Sequence, residues 1–137
     1  MEQFARAGYR TDVAAVLLCE ADGTREEVAD DIRRVQEVME SSGAVQTEVS
    51  RDEAQRLRFW AGRKAAFPAV GRLSPDYYCM DGTIPRKHLG AMLTAIQGME
   101  QEFGLSCPNV FHAGDGNLHP LILFDDGDPD SVQRAEA

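Results

Sequence analysis

Cysteine is scarce in this chain of 137 residues, and acidic residues outnumber basic ones. The three cysteines, Cys19, Cys79 and Cys107, are an odd number and show no Cys-x-x-Cys spacing. We therefore expect free thiols, mostly buried, in a reducing compartment. The 14 lysines and arginines stand against 23 aspartates and glutamates, which gives a net charge of −9. This balance argues against nucleic acid as a partner, because binding to phosphates needs a basic surface.

Long apolar runs are also missing from the sequence. There is no stretch of about 18 consecutive apolar residues and no recognisable signal peptide, so we expect a cytoplasmic protein without a transmembrane segment. No Gly-x-Gly-x-x-Gly segment is present to cradle a dinucleotide. What is present is an ordinary globular composition, 43% hydrophobic and 27% charged, at the length of one domain.

Capping residues and hydrophobic periodicity predict an alternation of strands and helices. Strands are predicted at Val13–Cys19, Ala44–Val49, Asp76–Met80, Val110–His112 and Leu118–Phe124. Helices are predicted to begin at the capping boxes Thr24-x-x-Glu27 and Ser50-x-x-Glu53, near Pro85 and near Ser131. Glycine and proline predict a loop over Pro68–Pro75. This order favours an α+β fold, a ferredoxin-like sandwich with a mostly antiparallel sheet and helices on one face.

The segment His112-Ala113-Gly114-Asp115-Gly116-Asn117-Leu118-His119-Pro120 carries the strongest functional signal. Asp-Gly is the favoured dipeptide of a two-residue type I′ hairpin turn, which would place His112 directly opposite His119. Opposed residues share a face, with Cβ atoms about 4.5–5.5 Å apart. Two neutral imidazoles so placed suit Zn²⁺ or a proton-transfer pair, and the structural alternative is two ordinary surface or half-buried histidines.

Four stretches, in the same order, resemble the C-terminal, substrate-side domain of FAD-linked oxidases of the glycolate oxidase and D-lactate dehydrogenase type. They are Gly8-Tyr9-Arg10 with the following Val13 to Asp22, Arg58-Phe59-Trp60-Ala61-Gly62-Arg63-Lys64, Ser74-Pro75-Asp76-Tyr77-Tyr78-Cys79-Met80-Asp81-Gly82-Thr83-Ile84-Pro85, and Phe111 to Pro120. The resemblance implies that residues 1–137 are a fragment of such a domain. The family's FAD-binding domain, and the Gly-Glu-His segment that supplies a further metal ligand, are absent from this sequence.

The resemblance also implies an activity and roles for particular residues. The activity is the oxidation of a small D-2-hydroxy acid, such as glycolate or D-lactate, to the 2-oxo acid by FAD, which the missing domain mainly binds. His112 and His119 would hold a divalent metal, Zn²⁺ foremost, and His119 would be catalytic. Arg63 stands at the arginine of the family's Trp-x-x-Arg segment and would hold the substrate carboxylate. From spacing alone, the simpler interpretation is that Arg63 is a surface arginine paired with an acid. Its planar guanidinium group is nevertheless suited to binding a carboxylate through two N–H donors.

One position departs from the family pattern, and one alternative stays open. Related dehydrogenases place a lysine shortly before the aspartate of the third strand, whereas Cys79 and Met80 precede Asp81 here. The resemblance implies partner oxidase subunits, through which the protein could associate with a membrane. The fragment alone is expected to be inactive. The alternative is a stand-alone ferredoxin-like module that binds a metal or a small acid without catalysis.

Overall fold

The capping residues and hydrophobic periodicity of the sequence give rise to helices and one small antiparallel sheet. The computed structural model describes residues 2–137, without the side chains at positions 3 and 4. Helices lie at Glu2–Ala5 (α1), Arg25–Ser41 (α2), Glu53–Lys64 (α3), Ala66–Val70 (α4), Leu89–Phe103 (α5) and Pro129–Glu136 (α6), with a 3₁₀ turn at Arg86–His88. Strands lie at Asp76–Cys79 (β1), Gly82–Thr83 (β2), Asn109–His112 (β3) and Asn117–Phe124 (β4). The chain divides into two units, Met1–Lys64 and Ala65–Ala137.

At the first turns of α2 and α3, side chains accept hydrogen bonds from backbone amides that have no partner within the helix. The predicted capping box of α2 is confirmed: the Thr24 side chain accepts a hydrogen bond from the Glu27 amide, and the Glu27 carboxylate accepts one from the Thr24 amide. The predicted box at Ser50 is wrong. The Asp52 carboxylate accepts from the Gln55 amide at 2.8 Å, and α3 begins at Glu53. Ser50 lies two residues too early to cap this helix.

The two strands predicted in the first unit are also wrong. Residues 13–19 and 44–49 form no strand in the part of the chain that the structure describes. A strand needs a hydrogen-bonded neighbour, and neither segment has one there. Apolar side chains of both segments are exposed, with Leu17 at 59% and Val45 at 72%. Together with the end of α2, the two segments line a cavity of about 420 Å³.

The second unit contains the whole sheet, built around β4. Strand β3 pairs with β4 in an antiparallel ladder, and β1 and β2 pair with β4 in the same antiparallel sense. Cys79 lies opposite Leu121 and Gly82 lies opposite Leu118, so the register of β1 continues into β2 without a shift. The break between them lies opposite Pro120, which has no N–H to donate to a ladder. The α+β class and the antiparallel sheet are therefore present.

Helix α4 covers the face of the sheet that carries the candidate site. Val70 packs with Leu121 and Leu123, and Phe67 and Val110 close the edge of this cluster. Leu121 is completely buried, and a fully buried leucine stabilises a fold by about 1.5–3 kcal/mol. The predicted loop over Pro68–Pro75 begins later than expected, because α4 continues to Val70. Pro68 is tolerated there because the amides of a first helical turn need no partner within the helix.

The expectation that the cysteines are mostly buried is wrong. All three thiols are free, but Cys19 and Cys79 are exposed and Cys107 is half-buried. Burial raises the pKa of the Cys107 thiol, and the negative charge of Glu100 raises it further. Within residues 2–137, no helix is both long enough and apolar enough to cross a membrane.

Candidate functional site

The turn between β3 and β4 is longer than predicted. It comprises the four residues 113–116, because His112 already pairs with Asn117. The Asp115 amide donates to the His112 carbonyl at 3.1 Å, and Gly116 takes a positive φ of 70°. The predicted type I′ turn is thus wrong: Asp115 and Gly116 fill the last two positions of a wider turn. The left-handed conformation at its end favours glycine.

The two histidines nevertheless lie on one face of the sheet. His112 pairs with Asn117 and His119 pairs with Val110, whereas the predicted register paired the histidines directly. The two registers differ by two residues, and a shift by an even number keeps every side chain on its face. The ring centroids lie 5.8 Å apart, with the ring planes at 86°. The predicted neighbourhood of His112 and His119 is confirmed as a diagonal pair.

Asp81 and Cys79 flank His119 on the side away from His112. The continuous register places Asp81 opposite His119, and its carboxylate Oδ1 is hydrogen-bonded to His119 Nδ1. Cys79 lies two residues earlier on the same face, with its Sγ 4.0 Å from Asp81 Oδ1. One possible ligand atom from each of the three residues lies within 4.8 Å of the other two. His119 therefore lies between an acidic group and a second imidazole.

Burial differs sharply within this group of side chains. The side chain of His119 is 17% exposed and that of Asp81 is 73% exposed. The Phe67 ring meets the His119 ring at an angle of 62°, with centroids 6.1 Å apart. Although Cys79 is exposed, desolvation by its neighbours raises the pKa of its thiol, and the Asp81 charge raises it further. Cys79 is therefore a neutral thiol at neutral pH rather than a nucleophilic thiolate.

Reasoning from the sequence missed Asp81 and Cys79 as neighbours of His119. A signal was available in the predicted strand Asp76–Met80. Extending that strand by one residue reaches Asp81, which the observed register with β4 places opposite His119. The strand itself was therefore predictable, but its register with β4 was not, because that pairing joins residues 38 positions apart in the sequence.

Arg63 lies in the first unit, near the end of α3, whereas both histidines lie in the second. It follows Trp60 by three residues and is half-buried. Among residues 2–137, no acidic side chain forms an ion pair with Arg63, although Arg10, Arg33, Arg34 and Arg56 each have such a partner. The simpler interpretation of Arg63, a surface arginine paired with an acid, is not what the structure contains.

Tyr9 contacts the turn of α3 that precedes Arg63. Its hydroxyl donates a hydrogen bond to the Phe59 carbonyl, and its ring lies against Gly62. The Glu2 carboxylate accepts hydrogen bonds from the amides of Gly8 and Tyr9, and the Gly8 bond contributes most to lowering the pKa of Glu2. The opening Gly8-Tyr9-Arg10 segment is thus attached to the helix that carries Arg63.

Comparisons with known proteins identify the family of the chain. The family model described as FAD linked oxidases, C-terminal domain, matches residues 1–137. The chain is 56% identical over 135 residues to glycolate oxidase subunit GlcD of Escherichia coli strain K12, which is 98% of this chain and 27% of that protein. It is 32% identical over 136 residues to glycolate oxidase subunit GlcD of Bacillus subtilis strain 168, covering 99% of this chain and 29% of that protein.

A third relative has a different name. The chain is 32% identical over 117 residues to a D-lactate dehydrogenase of Anaerostipes hadrus, covering 85% of this chain and 25% of that protein. The chain thus spans only about a quarter of the length of the curated relatives it matches. Because the family model matches the whole chain, the chain belongs to the FAD linked oxidases, as their C-terminal domain.

Proposed function

We propose that this chain is the substrate-side part of an FAD-dependent oxidoreductase that oxidises a small D-2-hydroxy acid, glycolate or D-lactate, to the 2-oxo acid. The observation that carries the proposal is the pair of imidazoles, His112 and His119, on one face of the sheet in a member of this family. The names of the relatives, which are glycolate oxidase and D-lactate dehydrogenase proteins, support the substrate class. Family membership favours an enzyme over a stand-alone binding module.

The residues present fit a divalent metal ion. A zinc–nitrogen bond is about 2.1 Å long, so the centre of a bound imidazole lies roughly 3 Å from the ion, and two such centres lie at most about 6 Å apart. The observed separation of 5.8 Å is within that limit. The hydrogen bond to Asp81 Oδ1 occupies Nδ1 of His119 and leaves Nε2 as its free nitrogen. His112 and His119 would hold the ion, and a further ligand is needed to complete the site.

Flavin, metal and protein side chains have separate chemical roles in this proposal. FAD, when bound, supplies the acceptor for the hydride that leaves the Cα of the acid. A divalent cation at the histidines supplies Lewis acidity that lowers the pKa of the substrate hydroxyl. Arg63 binds the substrate carboxylate with its planar pair of N–H donors, and no acidic side chain among residues 2–137 competes for that guanidinium.

Three finer predictions belong to this proposal. The protein is cytoplasmic and works with partner subunits, a role supported by the word subunit in the names of the relatives. Membrane association would then come from those partners. The third is the ferredoxin-like sandwich, which was predicted with residues 13–19 and 44–49 as two of its strands.

Two variants test the proposal in the protein at its full natural length. His119→Ala should lower the metal content and reduce kcat severely while FAD stays bound, because the flavin is expected to have its own domain. Arg63→Lys keeps the positive charge but loses the planar guanidinium group with its pair of N–H donors. It should lower kcat/KM for D-2-hydroxy acids by roughly tenfold to a hundredfold, which corresponds to a charge-assisted hydrogen bond of about 1.5–3 kcal/mol.

Matched controls are available in the same chain. Arg58→Lys makes the same exchange on the exposed part of α3, and His88→Ala removes the remaining histidine, which is exposed. Both controls should retain metal, flavin and turnover. Metal analysis, flavin absorbance and steady-state kinetics measure the outcomes. Normal metal content and near-normal turnover in His119→Ala would show that the histidine hairpin is structural.

A further inference from the structure

We propose that Asp81 is a positioning residue that orients His119 for metal binding. The inference rests on the proposed function, in which His119 is a metal ligand. The carboxylate Oδ1 of Asp81 is hydrogen-bonded to Nδ1 of His119 across the two strands. In this arrangement Nδ1 carries the proton and its N–H donates a hydrogen bond to the carboxylate, which leaves Nε2 as the nitrogen free to bind a metal ion.

The sheet itself enforces this contact. Asp81 and His119 occupy opposed positions in one continuous register, since Met80 donates from its amide to the Pro120 carbonyl at 2.9 Å and Gly82 pairs with Leu118. Opposed residues on one face have Cβ atoms about 4.5–5.5 Å apart, which is within reach of a short carboxylate. The contact therefore depends on strand pairing and not on a flexible loop.

The location of the second imidazole, that of His112, relates the contact between Asp81 and His119 to metal binding. His112 comes from β3, on one side of β4, and Asp81 comes from the connection between β1 and β2, on the other side. The His119 ring thus has a carboxylate on one flank and a potential co-ligand on the other. A histidine that binds a metal usually donates its second N–H to such an acceptor, which fixes the ring and raises the basicity of the ligating nitrogen.

A competing arrangement would use Asp81 as a direct ligand together with Cys79 and His119. Their possible ligand atoms lie within 4.8 Å of one another. The hydrogen bond between Asp81 Oδ1 and His119 Nδ1 disfavours it, because an ion bound by those two atoms would have to displace the proton that they share. Metal affinities of variants at Asp81 and Cys79 separate the two arrangements.

The experiment measures metal binding by the full-length protein after its metal has been removed. Zn²⁺ affinity is measured by competition with a chelator for the wild type, Asp81→Asn, Asp81→Ala and Cys79→Ser. Loss of an orienting carboxylate typically weakens metal binding by about tenfold to a hundredfold, and we expect that loss in Asp81→Ala. Asp81→Asn should lose less, because its amide oxygen still accepts from Nδ1–H without the charge. Cys79→Ser should bind like the wild type.

Two further readouts separate positioning from a structural role. The melting temperature of the metal-free protein should be the same in the wild type and in Asp81→Asn, whereas the increase that Zn²⁺ causes should shrink in the variant. Asp126→Asn removes the same charge from an exposed turn of the same unit and should leave both values unchanged. With Co²⁺ in place of Zn²⁺, the absence of a thiolate charge-transfer band is expected.

Each contrary result has a distinct meaning. Wild-type affinity in Asp81→Ala would overturn the inference while the proposed function stands. Equal losses in Asp81→Ala and Cys79→Ser, with a thiolate band in the Co²⁺ spectrum, would overturn it in favour of direct ligation by both residues. No metal binding by the wild type, or none that depends on His119, would refute the metal site of the proposed function, and the inference would fail with it.

Discussion

Among single residues, Gly62 shows most clearly how a small side chain serves this chain. A Cβ atom at this position would lie 2.4 Å from Cε2 of Tyr9, far inside van der Waals contact. The Tyr9 ring has little freedom to move away, because its hydroxyl is hydrogen-bonded to the Phe59 carbonyl. The glycine therefore lets an aromatic ring lie directly on α3, one residue before Arg63.

Gly62→Ala should therefore destabilise the protein. Alanine normally gains about 0.5–1 kcal/mol over glycine in a helix, but forcing extra volume into a packed site costs about 1–3 kcal/mol. We expect the second effect to win, with a net loss of roughly 1–2 kcal/mol in the free energy of unfolding. Urea denaturation measures it.

A second glycine provides the control for this prediction. Gly98 lies within α5, and a Cβ there would meet nothing within 4 Å. Gly98→Ala should therefore stabilise the protein by up to about 1 kcal/mol, because only the helix propensity changes. If both variants gained stability, the contact between Gly62 and Tyr9 would be too loose to matter.

Among the elements, the hairpin of β3 and β4 depends most on one backbone conformation. Gly116 has a φ of +70°, and a Cβ there would lie 2.0 Å from the Ile84 carbonyl oxygen. The same two residues are linked by a hydrogen bond of 2.9 Å from the Ile84 amide to the Gly116 carbonyl. The turn is therefore fixed both by its own conformation and by the chain segment that follows β2.

Gly116→Ala should disturb the hairpin and the spacing of the two histidines. A left-handed conformation costs a residue other than glycine about 1–2 kcal/mol, and the clash with backbone adds to that cost. We expect a clear drop in melting temperature and weaker Zn²⁺ binding in the full-length protein. Gly114→Ala, in the same turn, places its Cβ in open space and should change little. Equal behaviour of the two variants would contradict this account of the turn.

The hairpin also shows how far the sequence could predict the site. The Asp115-Gly116 dipeptide located the turn correctly but not its length, because the same dipeptide also suits the end of a four-residue turn. The shared face of His112 and His119 was predictable, since it depends only on an even shift in register. The contact of Asp81 with His119 was not, because it depends on strand pairing across 38 residues of sequence.

Predictions for whole elements succeeded where the signal was local. The capping box of α2 and the glycine that ends α5 need only neighbouring residues, and both are present as predicted. The strands predicted at 13–19 and 44–49 failed, because an apolar pattern shows that a segment could be a strand but not that a partner exists. The same limit applies to the ferredoxin-like arrangement, which depends on those strands.

Across the whole molecule, the apolar core is unevenly distributed between the units. Of the described hydrophobic side chains that are buried, Ala7 belongs to the first unit. The second unit contains the others: Ala66, Ala69, Val70, Ile96, Leu118, Leu121, Leu123 and Phe124. Local stability follows the burial of apolar groups and the number of protected hydrogen bonds. The second unit should therefore be the more resistant to opening.

Hydrogen exchange of the 137-residue chain tests this unevenness directly. Strand β4 is paired on both sides, and the amides of Leu121 and Leu123 donate to the carbonyls of Pro108 and Ser106 at 3.0 and 2.9 Å. We expect these two amides to exchange most slowly. Residues 13–19 and 44–49 lack a strand ladder and should exchange close to the rate of an unfolded peptide. Strong protection in those two segments would mean that they form strands, as their apolar pattern alone predicts, and that the sheet extends beyond β1–β4.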